Sequence, residues 1–180
     1  MSHLRENYEK QVVPALKNKF GYKNNLAIPR IEKVVVNVGT GQGLKDPKFN
    51  EVVEATLMRV TGQRPVKVAA KKSISNFKIR KGLIVGMVVT LRGKRRDDFI
   101  DKLVNITLPR VRDFRGLSLK SIDKHGNLNI GFREHIAFPE IKSDEVEKIH
   151  GVEISIITTA KTREEGIELL KLLGFPFRQE

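Results

Sequence analysis

Apolar positions recur at two different periods along this chain of 180 residues, and the switches between them mark out the elements. Leu4, Tyr8, Val12, Leu16 and Phe20 return every four positions, which predicts an amphipathic helix over residues 3–20. Pro14 is expected to kink it or mark its second half, and Gly21 to stop it. Residues 31–38 are β-branched and apolar enough for a central strand. A glycine loop, Gly39-Thr-Gly-Gln-Gly43, follows, and Asp46 is placed to cap a helix with Pro47 at its first position. Phe49, Val52, Val53, Thr56, Leu57 and Val60 turn one face of that helix to the core, and Gly62 ends it.

Beyond Gly62 the periods become shorter. A short strand is predicted over residues 66–70. Residues 71–82 follow neither period and are expected to form a long, mobile loop. Residues 83–92 form a long strand, apolar on both faces in its first half, that Gly93 breaks. From Arg95 to about Leu108 a helix is expected to pack through Phe99, Leu103 and Ile106, with Pro109 stopping it. Ile122-Asp-Lys-His-Gly126 reads as a hairpin turn between two short alternating stretches, with Leu128, Ile130 and Phe132 sharing a face. Residues 133–151 have no clean period. A last strand is predicted over residues 152–159. Thr162-Arg-Glu-Glu165 is a capping box that opens a helix burying Ile167, Leu170 and Leu173 before Gly174. Strands interspersed with helices, and hairpins among them, predict an α+β fold. The expectation is one domain, residues 1–180: a single mostly antiparallel or mixed sheet, helices packed on one side and the other face exposed.

Charge sharpens this picture. Between Glu54 and Asp97 there is no acidic residue, yet twelve of the 34 lysines and arginines lie there. They are Arg59, Arg64, Lys67, Lys71, Lys72, Lys78, Arg80, Lys81, Arg92, Lys94, Arg95 and Arg96. The formal net charge is +13, so this one segment carries nearly all of it. Such a face implies an anionic partner. A solvated surface accounts for a few scattered charges; it does not account for so long an exclusion of acid. Asn37, Gln63, Ser73, Ser75, Asn76 and Thr90 add side chains able to donate to phosphate, sugar hydroxyl or base edge. Aromatic residues are scarce, and Phe77 is the only one in the segment. That argues for docking on a folded RNA by shape and backbone rather than by stacking on splayed bases. The opposite sign appears from Glu134 to Glu153, where Glu134, Glu140, Asp144, Glu145, Glu147 and Glu153 face only Lys142 and Lys148. This acidic stretch, residues 134–151 as a loop, is an ordinary solvated loop or a contact for a basic protein.

Other chemistries find little support. The glycine loop lacks the Lys-Ser/Thr of a phosphate-binding loop and the spacing of a dinucleotide fingerprint, so it reads as a plain strand-to-helix connection. His3, His125, His135 and His150 are scattered, and there is no cysteine, so no metal or cofactor is expected. No nucleophile elbow appears, and no catalytic activity is expected. Apolar runs fall short of the roughly 18 residues of a transmembrane helix, and no basic amphipathic helix offers itself to a membrane surface. The N-terminus lacks the apolar core of a signal sequence, which predicts a cytoplasmic protein.

Several blocks together resemble a known family. They are Pro29-Arg-Ile-Glu-Lys-Val-Val-Val-Asn-Val-Gly-Thr-Gly41, Thr61-Gly-Gln-Arg-Pro-Val-Lys-Val-Ala-Ala-Lys-Lys-Ser73, Ile79-Arg-Lys-Gly82, Asp113-Phe-Arg-Gly116 and Phe132-Arg-Glu-His135. In this order they are similar to the bacterial-type, 5S-rRNA-binding ribosomal protein five family of the large subunit, over essentially the whole chain. Val68 departs from the pattern, standing where a small hydroxyl residue is expected. The resemblance implies a monomer when free and a place in the ribosome's central protuberance, among neighbouring large-subunit rRNA and proteins. It also implies that the exposed sheet face docks on 5S rRNA through Asn37, Gln63, Thr90 and Arg92, with Lys71 and Lys72 nearby. Arg64 and Lys67, on the same basic segment, join that set of rRNA-binding candidates. The loop carrying Ser73, Ser75, Asn76, Phe77, Lys78, Arg80 and Lys81 would reach the P-site tRNA. Glu134, Glu140, Asp144, Glu145 and Glu147 would meet a basic protein of the small-subunit head in an intersubunit bridge.

Overall fold

The computed structural model describes residues 3–44, 46–142 and 148–178. Its centre is one antiparallel sheet of five strands, β1 (Ile31–Gly39), β2 (Val66–Ala69), β3 (Ile84–Leu91), β4 (Leu128–Phe132) and β5 (Val152–Thr158), in the order β2-β3-β1-β5-β4. The helices are α1 (His3–Asn7), α2 (Val13–Phe20), α3 (Pro47–Thr61), α4 (Gly93–Lys102), α5 (Leu108–Arg110) and α6 (Arg163–Leu172). This is the α+β fold that the two periods predict. Alternation along the strands buries Val34, Val36 and Val38 of β1, Met87, Val89 and Leu91 of β3, and Val152, Ile154 and Ile156 of β5, leaving their neighbours on the opposite face.

The chain divides into two compact units, each assembled from separated segments: Met1–Val34, Leu91–Ile130 and Ser155–Glu180 in the first, Val35–Thr90 and Gly131–Ile154 in the second. In the first unit both prolines inside helices are accommodated in the same way. A π-helical turn, Tyr8–Val12, joins α1 to α2, and the Val13 N–H reaches back five residues to the Tyr8 carbonyl. Another, Leu103–Thr107, joins α4 to α5, with the Leu108 N–H on the Leu103 carbonyl. In each case the extra residue comes just before the proline, whose missing N–H and ring would otherwise break the ladder. Pro109 therefore does not stop the helix as the sequence predicts; the turn lasts to Arg110. The wider turn also changes the helix phase, so Thr107 is buried and Ile106, expected in the core, is 46% exposed.

The predicted hairpin turn forms around Asp123, whose Oδ1 accepts from the N–H groups of His125 (2.8 Å) and Asn127 (2.9 Å). Only one flank is a strand; the other is a 3-10 turn, Leu119–Ser121. Asn127 Oδ1 then accepts from the Thr158 N–H of β5 at 2.9 Å. Thr162 and Glu165 make the predicted capping box of α6. That helix lies so close to the turn that a Cβ on Gly166 would stand 2.3 Å from the Gly126 Cα.

In the second unit Asp46 Oδ1 caps α3 through the Lys48 N–H (3.1 Å), and Gly62 ends the helix at φ +64°. Phe49, Val53, Leu57 and Val60 form its buried face. Strand β2 pairs antiparallel with β3 in the register Val66 to Val88, Lys67 to Met87 and Val68 to Gly86.

Candidate nucleic-acid interface

Residues opposite one another in an antiparallel pair share a face, so this register decides where the basic segment points. Met87 is fully buried, so Lys67 lies on the helix-covered side. Its ammonium meets Glu54 of α3 at 2.9 Å, and Arg64 Nε meets the same carboxylate at 3.2 Å. The Lys67 hydrogen bond foremost, with that of Arg64, holds the Glu54 carboxyl below its ordinary range. Two of the candidate RNA-binding cations are thus already shared with the acid that opens the acid-free stretch.

The other parity, Val66 and Val68, shares the open face with Val88 and Gly86, and Val66 is 69% exposed. Asn37 and Val35 of β1 and Thr90 of β3 fall on the same face by alternation. Val68, the residue that departs from the family pattern, sits directly across from Gly86. Asn37 Nδ2 donates to Glu153 Oε2 at 3.3 Å, and Gln63 Nε2 donates to the Thr90 carbonyl at 3.2 Å. The structure therefore brings Asn37, Gln63 and Thr90 into one unit around a valine-rich surface. Glu153 was visible in the sequence only as one more acid. The buried flanks Val152 and Ile154 are the signal that turns it outward.

Residues 70–83 are more regular than a loop without periodicity suggests. The β2–β3 hairpin continues through Ala70 and Leu83, whose N–H to O distance is 2.8 Å. It closes again where Ile74 and Ile79 exchange hydrogen bonds of 2.9 and 3.1 Å. A 3-10 turn, Ser75–Phe77, forms the tip, and Lys78 leaves it in the left-handed region at φ +55°. Ser73 Oγ accepts from the Lys81 N–H at 3.0 Å. Sequence periodicity misses this arm because its residues from 71 to 83 are exposed apart from half-buried Ile79, so no core selects a pattern. Lys71, Lys72, Lys78, Arg80 and Lys81 are all exposed, and among the described residues none pairs with a carboxylate. Ser75 and Asn76 are exposed with them, and Phe77 at the tip is 70% exposed.

Arg92 and Lys94 belong to the first unit and are exposed there. Arg96 is used internally: its Nη1 donates to the Ile31 and Glu32 carbonyls at 2.6 and 3.2 Å, and its Nη2 pairs with buried Asp97 at 2.6 Å.

On the acidic stretch, Glu134 is exposed and Glu140 half-buried, while Asp144, Glu145 and Glu147 lie outside the described residues. Lys148 pairs with the helix cap Asp46. The histidines are less scattered than their numbers suggest. His135 and His150 stack with ring centroids 4.0 Å apart, and the His150 N–H donates to His135 Nδ1 at 3.3 Å. Burial, then the neighbouring His135, pushes the His150 imidazole down to about 4; burial lowers His135 too. Among the described residues no group of three or more possible metal ligands forms, and the pair is a buried stack. No helix among them is long and apolar enough to cross a membrane.

Comparison with known proteins bears on these surfaces. A family model described as "Ribosomal protein L5" matches residues 24–80, and a second, described as the C-terminus of the same ribosomal family, matches residues 84–177. The large ribosomal subunit protein uL5 of Halothermothrix orenii is 57% identical over 179 residues, covering 99% of this chain and all of the relative. Those of Carboxydothermus hydrogenoformans and Caldanaerobacter subterraneus are 52% and 56% identical, each over 98% of this chain and 99% of the relative.

Proposed function

Because the chain belongs to the uL5 family of large-ribosomal-subunit proteins, we propose that it holds 5S rRNA in the central protuberance with the open face of its sheet. Membership makes it a structural, non-enzymatic component of the large subunit, working with rRNA and other ribosomal proteins in the cytoplasm. The finer assignments are our reading. The observation that supports the sheet face is its composition: Asn37, Gln63 and Thr90 lie with positions of β1, β2, β3 and β5 that, among the described residues of the second unit, carry no cation, beside an arm that holds them. A folded RNA offers ribose hydroxyls and base edges as well as phosphates, and a flat polar–apolar face fits the former. Lys71 and Lys72 at the foot of the arm, and Arg92, supply phosphate contacts.

The arm has a separate role in this reading. Ser73, Ser75, Asn76, Phe77, Lys78, Arg80 and Lys81 extend away from the paired strands with their charges uncompensated, which suits a second RNA, the P-site tRNA. Glu134, Glu140, Asp144, Glu145 and Glu147 would contact a basic protein of the small-subunit head. Gel shifts with 5S rRNA and with an unrelated structured RNA of equal length test the principal assignment. Preference for 5S rRNA that persists as salt is raised supports it; equal binding to both would reduce the protein to a general RNA binder.

A further inference from the structure

Among the described residues of β1, β2, β3 and β5 in the second unit, the open face carries Val35, Asn37, Val66, Val68, Gly86, Val88 and Thr90, and one charged side chain, Glu153. A carboxylate facing a polyanion is costly by repulsion, and phosphate oxygens have nothing to donate to it. Glu153 can nevertheless be accommodated by an RNA nucleotide that presents donors. Its Oε2 already accepts from Asn37 Nδ2 at 3.3 Å, which leaves Oε1 and the remaining lone pairs available at an exposed strand position. The same bond orients the Asn37 amide so that Oδ1 turns towards β3. There Gly86 leaves a gap that a side chain would fill: a Cβ on it would stand 3.3 Å from the Val38 carbonyl oxygen and 4.0 Å from Asn37 Oδ1. The result is a run of acceptors, Glu153 carboxylate and Asn37 Oδ1, beside a shallow notch with no side chain.

Among RNA bases, guanine alone sets two parallel N–H donors, N1–H and N2–H, side by side on one edge, matching the two oxygens of a carboxylate. Unpaired bases are read on that edge. We propose that Glu153, oriented by Asn37, is a specificity-determining residue that accepts the Watson–Crick edge of an unpaired guanine in the bound RNA. This deepens the sheet-face reading and rests on it.

The test is the substitution Glu153→Gln in the full chain, titrated against 5S rRNA over a salt series, with urea midpoints checking the fold. Glu153 is exposed, so the fold should be unaffected. The expected result is at least tenfold weaker binding with an unchanged salt slope, because an acceptor is lost and no phosphate contact changes. Tighter binding with a steeper slope would show that Glu153 only repels, and unchanged binding that it contacts nothing; either overturns the inference. The second arm uses 5S rRNA with inosine in place of guanosine, which lacks the N2 amino group. The native protein should lose affinity on it, and the Glu153→Gln protein should lose little more. Equal losses in both proteins would overturn the guanine assignment, as would a coupling reproduced by 2′-deoxy RNA instead. If the native protein does not prefer 5S rRNA at all, the sheet-face reading itself has failed, which is a distinguishable outcome.

Discussion

The Asn37 amide nitrogen donates across the sheet to Glu153, and the Gln63 amide nitrogen to a backbone carbonyl, so both side chains are held in place. Replacing either with Ala should weaken 5S rRNA binding by about 1–3 kcal/mol if an RNA group is left unpaired in a closed interface. Titrations at one ionic strength measure this. Cations divide differently. Lys67 and Arg64 already share Glu54, so Lys67→Gln should leave the salt dependence of RNA binding nearly unchanged. The double change of Lys71 and Lys72 to Gln should flatten the slope of log affinity against log salt by roughly one to two units. A larger effect from Lys67 than from that pair would contradict the geometry. Sequence revealed the charge at these positions but not its side. Alternation along Val66-Lys67-Val68 separates the lysine from the valines without saying which of them faces the helices. The register with Met87 puts the lysine on the helix side, where its stem runs to Glu54, while the edge strand leaves its valines open. Short edge strands carry too few positions for their phase to be read without a partner.

Among the elements, helices were legible where a cap or stop residue fixed their ends, as at Asp46, Gly62 and Thr162. One was misread at Pro109, which is absorbed rather than obeyed, whereas Pro14 marks the second half of its helix as expected. A π turn costs one residue of register and no composition, so neither Tyr8–Val12 nor Leu103–Thr107 leaves a trace in the apolar pattern except the outward Ile106. Packing of α6 on the turn at Gly126 gives a direct check. Gly166→Ala would drive a Cβ into Gly126 backbone and should destabilise the protein by about 1–3 kcal/mol, read from urea unfolding.

The stacked histidines clamp residues 135 and 150, near the two ends of the acidic stretch. Both imidazoles bind protons less readily when folded, so the unfolded chain takes up protons first as pH falls. Stability is therefore complete above about pH 6.5, where an unfolded histidine is neutral, and declines as pH falls towards 4. Each tenfold loss of proton affinity is worth about 1.4 kcal/mol. Urea midpoints between about pH 7.5 and 5, above the range where most carboxylates titrate, should fall in the native protein and stay flatter in His150→Phe. A midpoint that rises on acidification would refute the clamp.

For the molecule as a whole, the twelve cations of the acid-free stretch separate into groups with different work. Arg64, Lys67 and Arg96 serve the fold, the exposed cations of the arm are uncompensated, and among the described residues the open-face positions of β1, β2, β3 and β5 in the second unit carry no positive side chain. A basic face and an α+β sheet were readable from composition and period. The distribution was not, because it depends on strand register and on acids distant in sequence. Nor did any composition break mark the two compact units, since each is built from discontinuous segments. In the proposed function the sheet face, with the foot of the arm, holds 5S rRNA, and the cations at the arm's tip do not. This division is tested most directly by measuring 5S rRNA affinity for the native protein, Asn37→Ala, and a triple variant with Lys78, Arg80 and Lys81 changed to Gln, under one buffer. Asn37→Ala should lose roughly five- to 150-fold, the 1–3 kcal/mol expected of an unpaired polar group, while the triple variant stays close to native. A triple variant that loses as much as Asn37→Ala, or more, would contradict it.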